Sequence, residues 1–561
     1  MSSTNYAAIR VLIVDDFHNF RSALTKSMYA LGFRHISSAS SGYEALNACQ
    51  KNHYDLILSD YNLGNGKTGQ QLLEELRLTK LLKPSDIFML ISADTSRDVV
   101  MASCDCEPSD YLTKPITGKT LEQRIRRLMA KRVELVDAYQ AIEDEENQRA
   151  IHLLQNLLAE SSRYSVDCQK LLGELYIREG HYDQAEKFYR GILDVRSLDW
   201  AQVGLANVDI ERGKLNEAVS QLEEVVKAHP ACLKAYDSLS KACVNLGDTE
   251  KLQKVLEQAS AVSPMSIGRQ KILADTALAN GDVEIAMLAY KKTIKYGAHS
   301  HYDNADNHLN LARAITKVYD NDLDKGKNFS VDAAKLLSTI DDHQDISEDQ
   351  KIQAKLLHSQ INAIHGNKRV SQELLAEAQE LMINSDARNI DIEVESVNAL
   401  IANNNVPEAK SMLLEMLVHY KLDQPALEKI DPLLDEPISE KGKKIIATIN
   451  KKGIDYYNEK NFSESIAYFI RAQKKFPRYI GLKLNLIQAM ISDIRESGFN
   501  QEYVDKCLTT FKAVENNVTP ASAKFHRYKQ LKLMYRTVVQ QAEFEAKVTK
   551  VKEQSQQEGA R

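Results

Sequence analysis

Long apolar runs are missing from this 561-residue chain. No stretch approaches the roughly 20 residues that span a bilayer, and the opening MSSTNYAAIR lacks the basic-then-apolar pattern of a secretory leader. No membrane association is expected, and a cytoplasmic location is. Cysteine is sparse: Cys49, Cys104, Cys106, Cys168, Cys232, Cys243 and Cys507 are scattered, odd in number, and no two are separated by the two residues of a zinc knuckle or redox pair. Reduced thiols follow, which suits a reducing compartment. No strong excess of positive charge is present either. To Ala130 there are 15 basic and 14 acidic side chains, and the remainder carries 57 against 64. Nucleic-acid affinity comes largely from neutralising phosphates, so no nucleic-acid partner is expected of the longer part. Also lacking beyond Ala130 are a GxSxG, an HExxH, a glycine–lysine phosphate loop and paired metal-ligand motifs, which argues against an enzymatic output.

The first 130 residues alternate short apolar runs with amphipathic stretches. RVLIV (10–14), DLILS (55–59) and IFMLIS (87–92) are continuous runs of the kind buried on both faces of a parallel sheet, with weaker candidates at HISSA (35–39) and 111–113. Helical periodicity occupies 17–31, 42–51, 70–81 and 119–129. Strands alternating with helices predict an α/β doubly wound, five-stranded parallel sheet. After Ala130 strand-like runs cease, and the next periodic segment follows with no glycine or proline between, predicting a helical junction.

The second region repeats. Gly180, Gly213, Gly247 and Gly281 are spaced by 33, 34 and 34 residues, each followed five positions later by Ala185, Ala218, Leu252 or Ala286. Pro230 and Pro264 each lie 17 residues after their glycine. Glycine tolerates the left-handed cap ending a first helix, the small residue permits close approach of the second, and proline marks the exit. This period resembles the tetratricopeptide repeat and predicts an all-α solenoid. A further unit is legible downstream in Gly453, Tyr456, Phe462, Ser465, Phe469, Ala472 and Pro477. The expected division is 1–130, the α/β domain; 131–300, repeats; 301–440, degenerate helical repeats, with longer helices where the period blurs between 302 and 367; 441–548, further repeats; and 549–561, a disordered polar tail. Asn485 is weighed as a peptide-backbone contact and read as structural or solvated.

Chemistry-bearing residues cluster at strand ends. Asp15 and Asp16 close the first run, Asp60 the third, Ser92 the fourth, and Lys114 follows the fifth, before Pro115. In such sheets ligands bind beyond the carboxyl ends of the strands. This constellation resembles the receiver domain of two-component response regulators over about residues 8–130. The resemblance implies that Asp60 accepts a phosphoryl group from a histidine kinase or phosphotransfer protein. It implies that Mg²⁺ is held by Asp15, Asp16, Asp60 and the backbone carbonyl of Asn62, with Asp16 the more direct ligand of the acidic pair. Lys114 would bind phosphate, Ser92 and Tyr111 would be the switch hydroxyl and aromatic, and the bond before Pro115 would be cis. The only catalysis implied is phosphorylation and dephosphorylation of the domain itself, and the repeats would bind an unidentified protein. Two departures stand out. The loop after Asp60 reads LGNGKTG, with no proline and Gly69 one place later than in the family, and Cys106-Glu107-Pro108 replaces a small Gly-Ala before DYLTKP. A competing reading, a transcriptional regulator with an unrecognised DNA-binding output, needs a basic recognition helix, and none is legible.

Overall fold

A computed structural model describes residues 6–321, 346–383, 388–515 and 522–559, together with Leu337, Ile340 and Val518. Five parallel strands, β1 (Arg10–Val14), β2 (His35–Ala39), β3 (Leu56–Asp60), β4 (Ile87–Ser92) and β5 (Asp110–Thr113), form one sheet in the order β2-β1-β3-β4-β5. The flanking helices are α1 (His18–Ala30), α2 (Gly42–Lys51), α3 (Gly69–Leu78), α4 (Arg97–Asp105) and α5 (Gly118–Glu143). Side-chain alternation along each strand divides the core in two. Val11, Ile13, Leu56, Leu58, Met89 and Ile91 pack with Leu24 and Met28 of α1 and Leu121 and Ile125 of α5. Leu12, Val14, Ile57, Phe88 and Leu90 face Ala45 and Cys49 of α2 and Leu72, Leu73 and Leu76 of α3.

The last helix of the sheet domain does not stop at residue 130. Helix α5 runs unbroken to Glu143, and its distal Leu135, Ala138 and Ala141 are buried with Ala150, Ile151 and Leu154 of α6 (Asn147–Ala159). The last helix of the sheet domain is therefore also the first of the helical array. Its sheet-domain end is tied down by Arg132, whose guanidinium donates to the Asp55 carboxylate at 2.5 Å and to the Ser85 carbonyl at 3.0 Å.

The array continues in pairs: α7 (Ser165–Arg178) with α8 (Tyr182–Val195), α9 (Asp199–Glu211) with α10 (Leu215–Ala228), α11 (Leu233–Leu246) with α12 (Thr249–Val262), and α13 (Ile267–Asn280) with α14 (Val283–Gly297), before α15 (Ala305–Asn321). Gly180, Gly213, Gly247 and Gly281 have φ of +73°, +76°, +71° and +78°, the left-handed geometry that lets the chain turn into its second helix without a Cβ clash. The phenol of Tyr189 is wedged between neighbouring helices: a Cβ on Gly173 would lie 2.3 Å from its oxygen, and one on Gly204 2.3 Å from its ring.

The chain folds into two units, one comprising Met1–Ala277 with Glu284–Leu311, the other Leu278–Val283 with Ala312–Arg561. In the second, α16 (Glu348–Ile364), α17 (Lys368–Ile383), α18 (Ile390–Ala402), α19 (Val406–His419) and α20 (Gln424–Ile430) surround Leu356, Val397, Leu400 and Met416. The pair read from sequence is α21 (Glu440–Asn458) and α22 (Phe462–Lys475), in which the Phe469 ring fills the space a Gly453 side chain would need and the Ser465 hydroxyl donates to the Gly453 carbonyl at 2.8 Å. Beyond them lie α23 (Ile480–Ser497), α24 (Gln501–Glu515) and α25 (Ala523–Gly559). Where the period blurs, α15 and α16 are each 17 residues long against 14 in most regular repeats, and the expectation for the stretch between them falls largely outside the described residues. The tail expectation needs correction: α25 continues to Gly559, through a Glu-, Gln- and Lys-rich stretch that lacks any helix breaker before that glycine.

Alanine is favoured over glycine in a helix by up to about 1 kcal/mol, so the tyrosine wedge makes a clean test. Gly204→Ala is expected to lower the unfolding free energy by about 1–3 kcal/mol through overpacking. Urea denaturation should show most of that loss disappearing in a Tyr189→Leu background, because the two residues are in contact.

Candidate functional site

The carboxyl ends of β1, β3, β4 and β5 converge. Asp15 follows β1 and is 1% exposed, Asp60 ends β3 and is 7% exposed, and Asp16 is exposed at the mouth. Each can offer an oxygen within 4.8 Å of the others. Lys114, just beyond β5, places its ammonium 2.9 Å from Asp15 Oδ2 and 2.8 Å from Asp60 Oδ2, lying 4.1 Å above the Phe20 ring. Burial holds the Asp60 carboxyl above its ordinary range, opposed by the lysine and reinforced by the negative charge of Asp15. The ammonium of Lys114 is held more firmly protonated than usual by the two carboxylates, against the effect of its own burial.

The remaining contacts orient this group. Asp15 Oδ1 accepts from the Phe17 amide at 2.8 Å, and the Arg21 guanidinium donates to the Asp15 carbonyl at 2.5 Å. The cleft, about 590 Å³, is lined by Asp16, Phe17, Phe20, Asp60, Asn62 and Lys114, among others. The Asn62 side chain is turned to its own loop, accepting from the Gly64 amide at 3.2 Å. Although the loop after Asp60 is lengthened, Gly69 still packs on it: a Cβ there would lie 2.1 Å from the Asp60 carbonyl oxygen. The Lys114–Pro115 peptide is cis.

Ser92 and Tyr111 meet through a third residue. The Ser92 hydroxyl accepts from the Asp94 amide at 3.0 Å and donates to the Asp94 carbonyl at 3.3 Å, the same oxygen to which the Tyr111 hydroxyl donates at 3.1 Å. In this state the Ser92 hydroxyl is engaged by Asp94. Asp94, Phe20 and Arg21 carry no motif signal, and their roles follow from packing alone.

The donor set suits a hard divalent ion: three carboxylates, all oxygen, with one fixed cation among them and an open cleft. A second group, His53, Asp55 and Asp86, is also spaced for a metal. It lies at the opposite edge of the sheet, however, where Arg132 already occupies Asp55 Oδ1 and the amides of Arg10 and Lys83 occupy Asp55 Oδ2 and Asp86 Oδ2. That group is a charge-compensated junction with α5. His18, at the start of α1, is exposed beside the acidic cleft.

Comparison with known proteins covers the two parts of the chain separately. A family model described as "Response regulator receiver domain" matches residues 11–126, and one described as "Tetratricopeptide repeat" matches 141–203. Chemotaxis protein CheY of Pseudomonas aeruginosa is 28% identical over 123 residues, which is 22% of this chain and 98% of that protein. Chemotaxis protein CheY-3 of Vibrio cholerae is also 28% identical over 123 residues, covering 22% of this chain and 93% of that one. Among solved structures, the chemotaxis response regulator CheY4 of Vibrio cholerae is 26% identical, covering 21% of this chain and 98% of its own, with a TM-score of 0.20. Among the described residues no helix is long and apolar enough to cross a membrane. With the parallel sheet, its acidic edge and the helical pairs in place, the N-terminal part of the chain is a response-regulator receiver domain, similar to CheY, fused to a region of tetratricopeptide repeats.

Proposed function

We propose that Asp60 is the phosphoacceptor of a phosphorelay, charged by a histidine kinase or phosphotransfer protein, and that the repeat region is its protein-binding output. The observation that carries this reading is the bridging of Asp15 and Asp60 by the Lys114 ammonium beside a third carboxylate, at an open strand edge. Asp15, Asp16, Asp60 and the Asn62 carbonyl would hold Mg²⁺, which when bound offsets the charge of an incoming phosphoryl group. The chain's own residues do the rest. The Asp60 carboxylate attacks phosphorus while the donor's bond to it breaks. Lys114 releases its grip on Asp60 Oδ2 and takes up a phosphoryl oxygen as a mobile point charge. Phe17 and Phe20 wall the cleft from one side.

The readout follows from competition for hydrogen bonds. A phosphoryl oxygen at Asp60 recruits the Ser92 hydroxyl away from the Asp94 carbonyl. Tyr111 then loses the geometry of the acceptor it shares, and the loop leading into α4 rearranges. This is a local charge event with a packing consequence. Beyond transfer to Asp60 and hydrolysis of the product, no catalysis is assigned to the chain.

Two outcomes are expected. Acetyl phosphate with Mg²⁺ should label the wild-type chain, while Asp60→Asn should lose labelling altogether, as read by intact-mass spectrometry (an 80 Da increment, about the mass of a phosphoryl group, that appears only with an acceptor carboxylate). Asp16→Asn should leave the fold intact by circular dichroism yet weaken Mg²⁺ binding at least tenfold in calorimetry, since it removes one of few charged ligands. Equal affinities would remove Asp16 from the metal site.

A further inference from the structure

The array's first helices do not present an empty groove. The carboxyl end of α4 and the segment after it lie against α7, α9, α11 and α13, enclosing a cavity of about 440 Å³ that Met101 and Cys104 share with Trp200 and Val203. At its rim the Arg269 guanidinium, only 8% exposed, makes two bonds to Asp105, at 2.5 and 2.8 Å, and two more to Asp237, both 2.8 Å. The Ser263 hydroxyl donates to Asp105 Oδ2 at 3.1 Å. Two residues further on, Glu107 pairs with Lys234 at 2.7 Å. Within the segment that departs from the family pattern, Cys106-Glu107-Pro108, Cys106 stays in the core of the sheet domain and Glu107 turns toward the repeats. The segment's backbone is held in place by Arg77, which donates to the carbonyls of Cys106 and Glu107.

A second contact grips the loop that follows Asp60. Lys67 donates to the His299 carbonyl at 2.7 Å, and the Gln71 side-chain amide donates to the carbonyls of Tyr296 and Ala298 at 2.8 and 3.2 Å. Those carbonyls lie at the end of α14, where a helix leaves acceptors without intrahelical partners and carries the negative end of its dipole. One end of this loop lines the acidic cleft and the other caps a repeat helix.

We propose that the groove of α7, α9, α11 and α13 is a docking site for an acidic helix end, read by Arg269 and Lys234, and that the receiver's own α4 is its resident occupant. A guanidinium fork matches one carboxylate bidentately. Asp237 stays on Arg269 whichever ligand is present, so the remaining donors await a single further carboxylate. An external partner of this chemistry and the receiver then exclude one another. Only the trigger, displacement of α4 when Asp60 is phosphorylated, rests on the function proposed above.

The full-length chain tests both layers. The probe is a fluorescent, helix-stapled peptide copying residues 97–108, with anisotropy as the readout. Asp105→Arg alters only the receiver side of the contact, leaves the groove intact and should expose it, so the variant should bind the probe at least tenfold more tightly than wild type. Adding Arg269→Gln to that variant, which removes the carboxylate-reading fork without restoring an opposite charge, should abolish the gain. Equal binding by wild type and Asp105→Arg, or none by either, overturns the docking site. Beryllofluoride with Mg²⁺ should raise probe binding by wild type. If fluorine NMR shows beryllofluoride bound and the affinity is unmoved, the trigger fails and the groove stands. If beryllofluoride does not bind at all, the failure belongs to the phosphoacceptor reading.

Discussion

Two carboxylates as buried as those of Asp15 and Asp60 are tolerable side by side only because a cation is held between them. Desolvation and mutual repulsion would otherwise drive one of them to protonate. Lys114 reaches them because β5 lies at the sheet edge next to β4, and Asp60 faces Asp15 because β1 and β3 are hydrogen-bonded neighbours. Strand order thus determines which charges meet. The same proximity means that any change in the charge on Asp60 is felt first by the Lys114 ammonium.

Much of this was visible in the amino-acid string, for a physical reason. Residues at the carboxyl ends of parallel strands are brought together by topology alone, so acidic residues after apolar runs, with a lysine after the last, predict a pocket before any distance is known. The 34-residue spacing was equally legible where glycine occupies the left-handed turn. It faded where other residues take that conformation: Glu145, Asn404 and Lys460 have φ of +59°, +61° and +59°. These turns are structurally equivalent, yet nothing in their letters announces them. The boundary at residue 130 was blurred for a related reason, because one helix serves both parts.

Pairings between residues far apart in the chain lay beyond any local pattern. Asp105 and Arg269 are 164 positions apart, Lys67 and His299 are 232, and no periodicity joins them. Phe20 and Arg21 read only as helix residues until the cleft is assembled around them. In the second unit, Asn485 accepts from Arg527 at 2.7 Å and donates to Asn450 at 3.1 Å. There too Arg313 bonds Glu395 at 2.7 Å and Gln353 at 2.6 Å, while Gln360 bonds the other Glu395 oxygen at 3.0 Å. This polar seam bridges helices that share little repeat signature.

The unbroken α5 carries a consequence for how such chains can diversify. Its 26 residues span about 39 Å, and each residue inserted or deleted within it would rotate everything downstream by about 100°. Arg269 would then swing away from Asp105 and the end of α14 from Lys67. A module swap made at the nominal border would yield two well-folded halves facing the wrong way. Descendants of this architecture are thus confined to exchanges that keep the helix's phase, in steps of about seven residues, or two turns, or that carry the first repeats along with the sheet.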